Sequence, residues 1–202
     1  MNGQNPVRPS EGGLTAESIA ASARAAARGR GIPPVHKWNP PFSGDLDMMI
    51  ARDGTWSYLG TPIGRPELVR LFSTILRKDG DRYFLVTPVE KVGIFVEDVP
   101  FVAVDFEVEG SGSNQVLVFQ TNVGDETRAG ANTPIRVERD RESGEPSPYV
   151  LVRANLEARI DRKSFYRLIE LGRHREHNGD NWFGVCSEGT FFPIILSSEL
   201  PE

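Results

Sequence analysis

One stretch decides the fold: residues 66–87, which read PELVRLFSTILRKDGDRYFLVT. Pro66 stands where a helical spacing begins, and proline is favourable at the first position of a helix. Five apolar residues recur at that spacing: Leu68, Leu71, Phe72, Ile75 and Leu76. Asp79-Gly80-Asp81 predicts the end of the helix. Residues 83–87 and 93–97 then predict two strands of a hairpin.

A second stretch has the same order of elements. Asp161 predicts a helix N-cap, and Phe165, Leu168 and Ile169 form the apolar stripe of the helix that follows. Residues 174–181 are predicted to be a polar loop. Two further segments predict a terminal hairpin: residues 182–186 and 190–195.

The two stretches match closely enough to predict an internal duplication. Residues 69–72 align in pattern with residues 166–169, and residues 83–87 align with residues 182–186. Any two amphipathic helices before an aromatic strand share some of this pattern. We favour a duplication because element order, helix length and the aromatic start of the strand all agree.

The rest of the chain predicts strands. Asp53-Gly54 is a hairpin signal between two β-prone segments. Strands are predicted over residues 47–51, 55–59, 101–108, 115–121, 135–138 and 149–156. The sequence therefore predicts an α+β protein with two related halves, each of antiparallel strands plus one helix. The predicted divisions are a tail with a short Ala-rich helix at 1–32, an N-terminal α+β unit at 33–98 and a C-terminal β-rich unit at 99–202.

The N-terminal tail has its own pattern. Residues 1–13 are rich in Gly, Pro, Asn and Ser, which predicts disorder. Thr15 predicts the N-cap of an alanine-rich helix that extends to Arg28. Its narrow apolar face is expected to dock on the body or on a partner. Trp38 and Phe42 are expected to pin an extended arm that follows.

Composition excludes some function classes. The net charge is −5, and the acidic residues lie mostly beyond the basic tail, so binding to nucleic acid is not expected. No apolar run is long enough for a membrane span, and we expect no secretory signal because the N-terminus lacks an apolar core after its basic residues. The single cysteine, Cys186, is typical of a reducing compartment, and we expect a cytoplasmic protein.

Few residues suggest chemistry, and each has a simpler interpretation. His174 and His177 have a spacing that could hold a metal on a helix, but their segment is predicted to be a solvated loop. Cys186 is expected to be a buried structural thiol. Asp45 and Asp47 could hold Mg²⁺ with a phosphate substrate, or could stay in water at a turn. The sequence has no complete catalytic or metal motif, and we expect no cofactor.

One anion-site candidate remains at the start of the first predicted helix. Residues 60–65 read GTPIGR and lead directly into that helix, whose N-terminus presents free N–H groups. Gly64 lets a ligand approach the backbone, and Arg65 can bind a phosphate or carboxylate. Lys91 and Arg153 could add charge. The alternative interpretation of residues 60–65 is a tight turn with Arg65 in solvent. At the start of the second predicted helix, the Asp161 carboxylate would repel an anion.

The chain resembles a known family in six short motifs. They are residues 36–40 (HKWNP), 44–48 (GDLDM), 52–56 (RDGTW), 60–63 (GTPI), 87–91 (TPVEK) and 99–101 (VPF). Over residues 33–197 the sequence is similar to the bacterial family of domain of unknown function 1285. The resemblance implies a duplicated core, a C-terminal half superficially like a pleckstrin-homology fold and a ligand pocket between the halves. It also implies a nucleotide-like ligand and a role in bacterial signalling, with no established catalytic residues.

Three functional hypotheses follow. The first is a non-catalytic module that binds an anionic, nucleotide-like small molecule between the halves. In this hypothesis Gly64, Arg65, Lys91 and Arg153 hold the anion, and Trp38 or Trp56 stacks on a planar ring or belongs to the core. The second is a Mg²⁺-dependent phosphate-ester hydrolase that uses Asp45 and Asp47. The third is a protein-interaction adaptor that recruits a partner through the first helix or an exposed strand edge.

Overall fold

The computed structural model describes residues 14–27, 31–140 and 143–200. It contains three α-helices: α1 (Ala16–Ala26), α2 (Pro66–Thr74) and α3 (Arg162–Glu170). Local signals explain their starts. Thr15 caps α1 through a reciprocal pair of hydrogen bonds with Ser18, Pro66 is at the first position of α2, and the Asp161 side chain accepts the Ser164 N–H at 2.7 Å.

In the described part of the chain, fifteen strands form three sheets. The first sheet has the order β3-β2-β1-β6-β5-β4, the second β10-β11-β12-β7-β8-β9, and the third β13-β14-β15. The strands are β1 (Phe42–Ile50), β2 (Trp56–Tyr58), β3 (Thr61–Pro62), β4 (Leu76–Asp79), β5 (Arg82–Val86), β6 (Lys91–Val96), β7 (Phe101–Glu109), β8 (Val116–Thr121), β9 (Glu126–Arg128), β10 (Ile135–Arg139), β11 (Pro146–Arg153), β12 (Leu156–Ile160), β13 (Arg173–His177), β14 (Asp180–Ser187) and β15 (Thr190–Leu196).

The two six-stranded sheets have the same topology. Each consists of two antiparallel three-stranded meanders, joined at the centre by a parallel pair. These pairs are β1 with β6 and β7 with β12. The prediction of antiparallel strands therefore missed one parallel strand pair in each six-stranded sheet. A parallel pair requires a long connection, here several whole elements, so no local turn signal marks it.

The predicted duplication is confirmed and extends further than a helix and a hairpin. The first unit consists of the meander β1–β3, helix α2 and the meander β4–β6. The second unit consists of the meander β10–β12, helix α3 and the meander β13–β15. Both helices contain nine residues. In the first unit β1 and β6 join the two meanders into one sheet, whereas β15 only lies beside β10 without a hydrogen-bonded ladder.

Three boundaries predicted from the sequence are wrong. Helix α2 ends at Thr74, because residues 76–79 pair with β5 across a turn at Gly80, which has a φ of 59°. The predicted loop 174–181 is largely the hairpin β13–β14, closed by Asn178-Gly179 with positive φ at both positions. The predicted strand 149–156 is broken at Ala154, where the φ of 47° turns the chain from β11 into β12.

The N-terminal segments dock on the body. Helix α1 buries Ala16, Ile19, Ala20 and Ala23 in the main core and lies beside α2. The arm at residues 35–37 is a short 3-10 turn rather than extended chain. Trp38 packs against the core as expected, whereas the Phe42 side chain is 49% exposed. The predictions for residues 1–13 and 28–30 lie outside the described residues.

Within residues 14–27, 31–140 and 143–200, no helix is long and apolar enough to cross a membrane.

The predicted division at residues 98 and 99, and the pleckstrin-homology likeness of the C-terminal half, stay predictions. Hereafter the N-terminal half means β1–β6 with α2, and the C-terminal half means β7–β15 with α3.

Candidate functional site

A cleft of about 620 Å³ lies where the two halves meet. The N-terminal half contributes the β1–β2 turn with the start of β2, and one side of α2 with the loop before it. The C-terminal half contributes the turn between β8 and β9. The lining residues are 54–56, 63–64, 66–67, 69–70 and 122–124. The cleft therefore depends on both halves and includes the predicted helix start.

The turn at Asp53-Gly54 builds one wall of this cleft. The Asp53 carboxylate accepts the Thr55 N–H at 2.9 Å, and Gly54 has a φ of 85°. The hydrogen bond from the Thr55 backbone lowers the pKa of Asp53. Asn122 then links this turn to the C-terminal half: its side chain donates to the Gly54 carbonyl at 3.3 Å and accepts from Val102 N–H at 3.0 Å.

Trp56 belongs mainly to the core. Only 2% of its surface is exposed, and its ring stacks on Phe72 with centroids 6.4 Å apart. Its indole N–H is buried without a hydrogen-bond partner among the described residues. Trp56 lines the cleft, but its ring face is occupied by Phe72, so the geometry does not favour stacking of a ligand ring on it.

The start of α2 offers fewer donors than its sequence suggests. Arg65 is the N-cap residue, and its side chain makes no capping bond. The N–H groups of Leu68 and Val69 both donate to the Arg65 carbonyl, at 3.0 and 3.2 Å. Pro66 has no N–H, and the Glu67 carboxylate lies in the first turn. An anion here would therefore depend on side chains more than on the helix backbone.

Two guanidinium groups near the cleft have no carboxylate partner among the residues that the structure describes. Within the described part of the chain, neither Arg65 nor Arg70 makes a side-chain hydrogen bond or ion pair. Arg70 lines the cleft and packs on the β8–β9 turn, where a Cβ at Gly124 would lie 3.4 Å from its Nη1 atom. Arg65 lines a smaller adjoining cleft of about 260 Å³ that shares Ile63 and Gly64.

The other predicted site residues lie elsewhere and have partners. Lys91 is 3.5 Å from the Asp79 carboxylate and lies over the Phe84 ring. Arg153 pairs with Asp125 and donates to the Ser73 carbonyl at 2.6 Å. Trp38 packs on the core, where its carbonyl accepts from Arg77. The structure therefore brings Trp56, Gly64 and Arg65 together, but not Trp38, Lys91 or Arg153.

Sequence reasoning missed Arg70 and Asn122. Arg70 stands on the polar side of an amphipathic helix, which is usually a solvated position, and Asn122 lies in a turn distant in sequence. The sequence has one signal for Asn122, because Asn122-Val123-Gly124 predicts a turn. That signal does not indicate which segment the turn contacts.

The alternative chemical candidates are separated from one another. Among residues 14–27, 31–140 and 143–200, no group of three or more His, Cys, Asp or Glu side chains could hold a metal ion. Asp45 is paired with Arg82 at 2.6 Å on an exposed strand. His174 and His177 are on strand β13, where a separation of three residues points side chains to opposite faces. Cys186 is half-buried in β14.

The fold defines the class first: an α+β protein with a duplicated meander–helix–meander unit and a cleft between its halves. The chain belongs to the DUF1285 family. Residues 33–99 match the model described as "Domain of unknown function (DUF1285), N-terminal domain", and residues 100–194 match "Protein of unknown function (DUF1285), C-terminal domain".

Two solved structures of this family are similar to the chain. A DUF1285 family protein from Silicibacter pomeroyi DSS-3 is 61% identical, with 90% of this chain and 96% of that chain covered and a TM-score of 0.81. A DUF1285 family protein from Shewanella baltica OS155 is 32% identical, with 62% and 91% covered and a TM-score of 0.50. None of the curated proteins matches the chain.

Proposed function

We propose that this protein is a non-catalytic binding module for a small anionic molecule, held in the cleft between its halves. The observation that carries the proposal is the composition of the cleft. Both halves line it, and the Arg70 guanidinium lies against the turn of the opposite half without a carboxylate partner in the described residues. A ligand there would contact both halves at once, and ligand sites occur preferentially at such interfaces.

The charges in the cleft favour an anion only through the arginines. Glu67 balances Arg70 in the lining of the cleft, and Glu17 balances Arg65 in the adjoining cleft, so an anion would depend on the two guanidinium groups rather than on a net charge. A guanidinium can bind a phosphate or a carboxylate with two parallel hydrogen bonds. Nucleotide-like compounds remain the class to test first, with a role in bacterial signal transduction as the wider proposal.

The other hypotheses have less support from the geometry. A hydrolase would need Asp45 free to hold Mg²⁺, but Asp45 already pairs with Arg82, and Asp47 stands on the exposed face of β1. An adaptor that recruits its partner through α1 would need a free apolar face on α1, but that face is buried against the body.

A thermal-shift experiment tests the proposal. A nucleoside monophosphate at about 100 times its dissociation constant would stabilise the fold by about 2.7 kcal/mol. For a chain of this size that corresponds to a rise in melting temperature of roughly 5–10 °C. We expect the shift to be lost in Arg70→Ala and weakened in Arg65→Ala.

The matched control is Arg173→Ala, which removes an exposed arginine that does not line the cleft. It should keep the full shift. A panel of nucleoside mono-, di- and triphosphates that leaves the melting temperature unchanged at about millimolar concentration would contradict the proposal, as would a shift that persists in Arg70→Ala.

A further inference from the structure

The third sheet has an open edge that its counterpart in the first unit lacks. Strand β13 opens the second meander of the second unit, as β4 does in the first unit. It is the outer strand of the sheet β13-β14-β15. Four of its five residues are exposed and the fifth is half-buried. Among the described residues, no backbone hydrogen bond reaches β13 except those to β14.

The equivalent strand β4 is covered. The segment at residues 35–38 lies beside it, held by Arg77, which donates to the carbonyls of Val35 and Trp38 at 2.9 and 2.6 Å. The Asn155 side chain also donates to the Lys78 carbonyl at 3.1 Å. Since the two strands have equivalent places in duplicated units, the second unit lacks the covering segment that the first unit has.

The side chains of β13 lie over its own sheet and leave the edge accessible. The guanidinium carbon of Arg175 lies 5.6 Å from the centroid of the Phe191 ring, and the centroid of the His177 ring lies 5.7 Å from it. On the other face, His174 lies against Phe183 and its Nδ1 atom is 2.8 Å from the Ser197 hydroxyl. These contacts fix the charged groups above and below the strand rather than beside it.

The charge of β13 restricts the occupant. The strand carries two arginines, Arg173 and Arg175, against one acidic residue, Glu176, in a body that is acidic overall. Charged residues on an edge strand commonly prevent aggregation. A second copy paired antiparallel about the strand centre would place Arg175 opposite Arg175, and like charges in opposite positions are destabilising.

We propose that the edge of β13 binds an extended acidic segment of another protein by strand addition. The partner's backbone would satisfy the free N–H and C=O groups of β13, and its carboxylates would pair with Arg173 and Arg175. This surface lies outside the cleft between the halves, so it is independent of the anion site.

A labelled peptide tests this inference. The probe is a fluorescein-labelled octapeptide of alternating glutamate and valine, titrated against the full chain by fluorescence anisotropy, with an alternating lysine–valine peptide as the control. We expect the acidic peptide to bind and the basic one not to bind. The double variant Arg173→Glu/Arg175→Glu should weaken the binding of the acidic peptide by about tenfold or more and allow the basic peptide to bind, since it replaces two exposed ion pairs by two repulsions.

Amide hydrogen exchange locates the binding. Protection should appear at residues 173–177 and not at residues 76–79. Three results would overturn the inference: no binding of the acidic peptide at about millimolar concentration, equal binding of both peptides, or binding without protection of β13. Self-association that is lost in the double variant would also overturn it, because the occupant would then be a second copy. If the variant fails to fold, the comparison of the two peptides on the unmodified chain decides.

Discussion

The first and second units have the same order of elements but differ at the starts of their helices and at the edges of their sheets. Helix α2 begins with Arg65, whose side chain has no hydrogen bond or ion pair among the described residues, whereas α3 begins with Asp161, which caps its own helix. At the C-terminal end of α2, Arg153 of the opposite half donates to the Ser73 carbonyl. In α3, Arg167 pairs with Asp105 and donates to the Phe106 carbonyl, both on the adjacent β7. The comparison shows that a duplicated framework preserves the core and leaves helix starts and strand edges free to diverge.

The two units also differ in how their meanders close. A ladder between β1 and β6 joins the first unit into one sheet. In the second unit no ladder joins β10 and β15, and the last meander forms a sheet of its own. The meander β7–β9 pairs instead with β12, the counterpart of β3, and it supplies the turn that meets Arg70.

The largest expected effect concerns the tie between the halves. Arg153→Met should lower the free energy of unfolding by about 1.5–3 kcal/mol, because it leaves the Asp125 carboxylate without its ion-pair partner and removes the Arg153 donor from the Ser73 carbonyl. Lys91→Met removes a more exposed ion pair and should cost less than about 1 kcal/mol. Urea denaturation measures both. Equal costs for the two variants would show that Arg153 does not hold α2 across the junction.

A smaller effect separates the two helix starts. Asp161→Ala should destabilise the protein by about 1 kcal/mol, since it removes a capping bond to the Ser164 N–H. Arg65→Ala should change stability by no more than about 0.5 kcal/mol, since the Arg65 side chain makes no capping bond. Both variants are compared by the same urea titration. A loss at Arg65 as large as that at Asp161 would mean that Arg65 supports the fold rather than a ligand.

The smallest effect is a pH dependence at the cleft wall. The hydrogen bond from Thr55 lowers the folded-state pKa of Asp53 below its ordinary value of 3.8. The ionised carboxylate therefore stabilises the fold above that value, and this contribution is lost as the pH falls through the lowered pKa. Asp53→Asn keeps the turn without titrating, so its melting temperature should fall less than that of the unmodified chain below about pH 4. If the melting temperature falls equally with pH in the two proteins, the ionised Asp53 carboxylate does not stabilise the fold and the prediction is wrong.

Local signals in the sequence predicted the elements that local physics controls. Asp53-Gly54, Pro66 and Asp161 each act within a few residues, and each stands where predicted. The errors occurred where pairing with a distant or following strand overrides a local pattern. Leu76 continues a helical spacing, but it is buried in β4 opposite Leu85. Residues 174–181 were predicted to be a polar loop because they are mostly polar, and all but one of them are exposed in the hairpin as well.

The candidate site was only partly predictable for the same reason. Gly64 and Arg65 are adjacent to the helix signal that marks them, so the sequence locates them. Arg153 and Lys91 have the correct charge, but the fold gives them acidic partners before any ligand. Arg70 and Asn122 meet only because two halves pack together, and no spacing within a single sequence records that contact.

Hydrogen–deuterium exchange with a bound nucleotide tests the central claim most directly. The chain is incubated with and without the nucleotide that gives the largest thermal shift, and amide exchange is followed by mass spectrometry. An anion held at the start of the first unit predicts slower exchange at residues 54–56, 66–70 and 122–124, on both sides of the cleft, and no change at residues 161–166. Protection at the start of α3, or no protection on either side of the cleft, would contradict it.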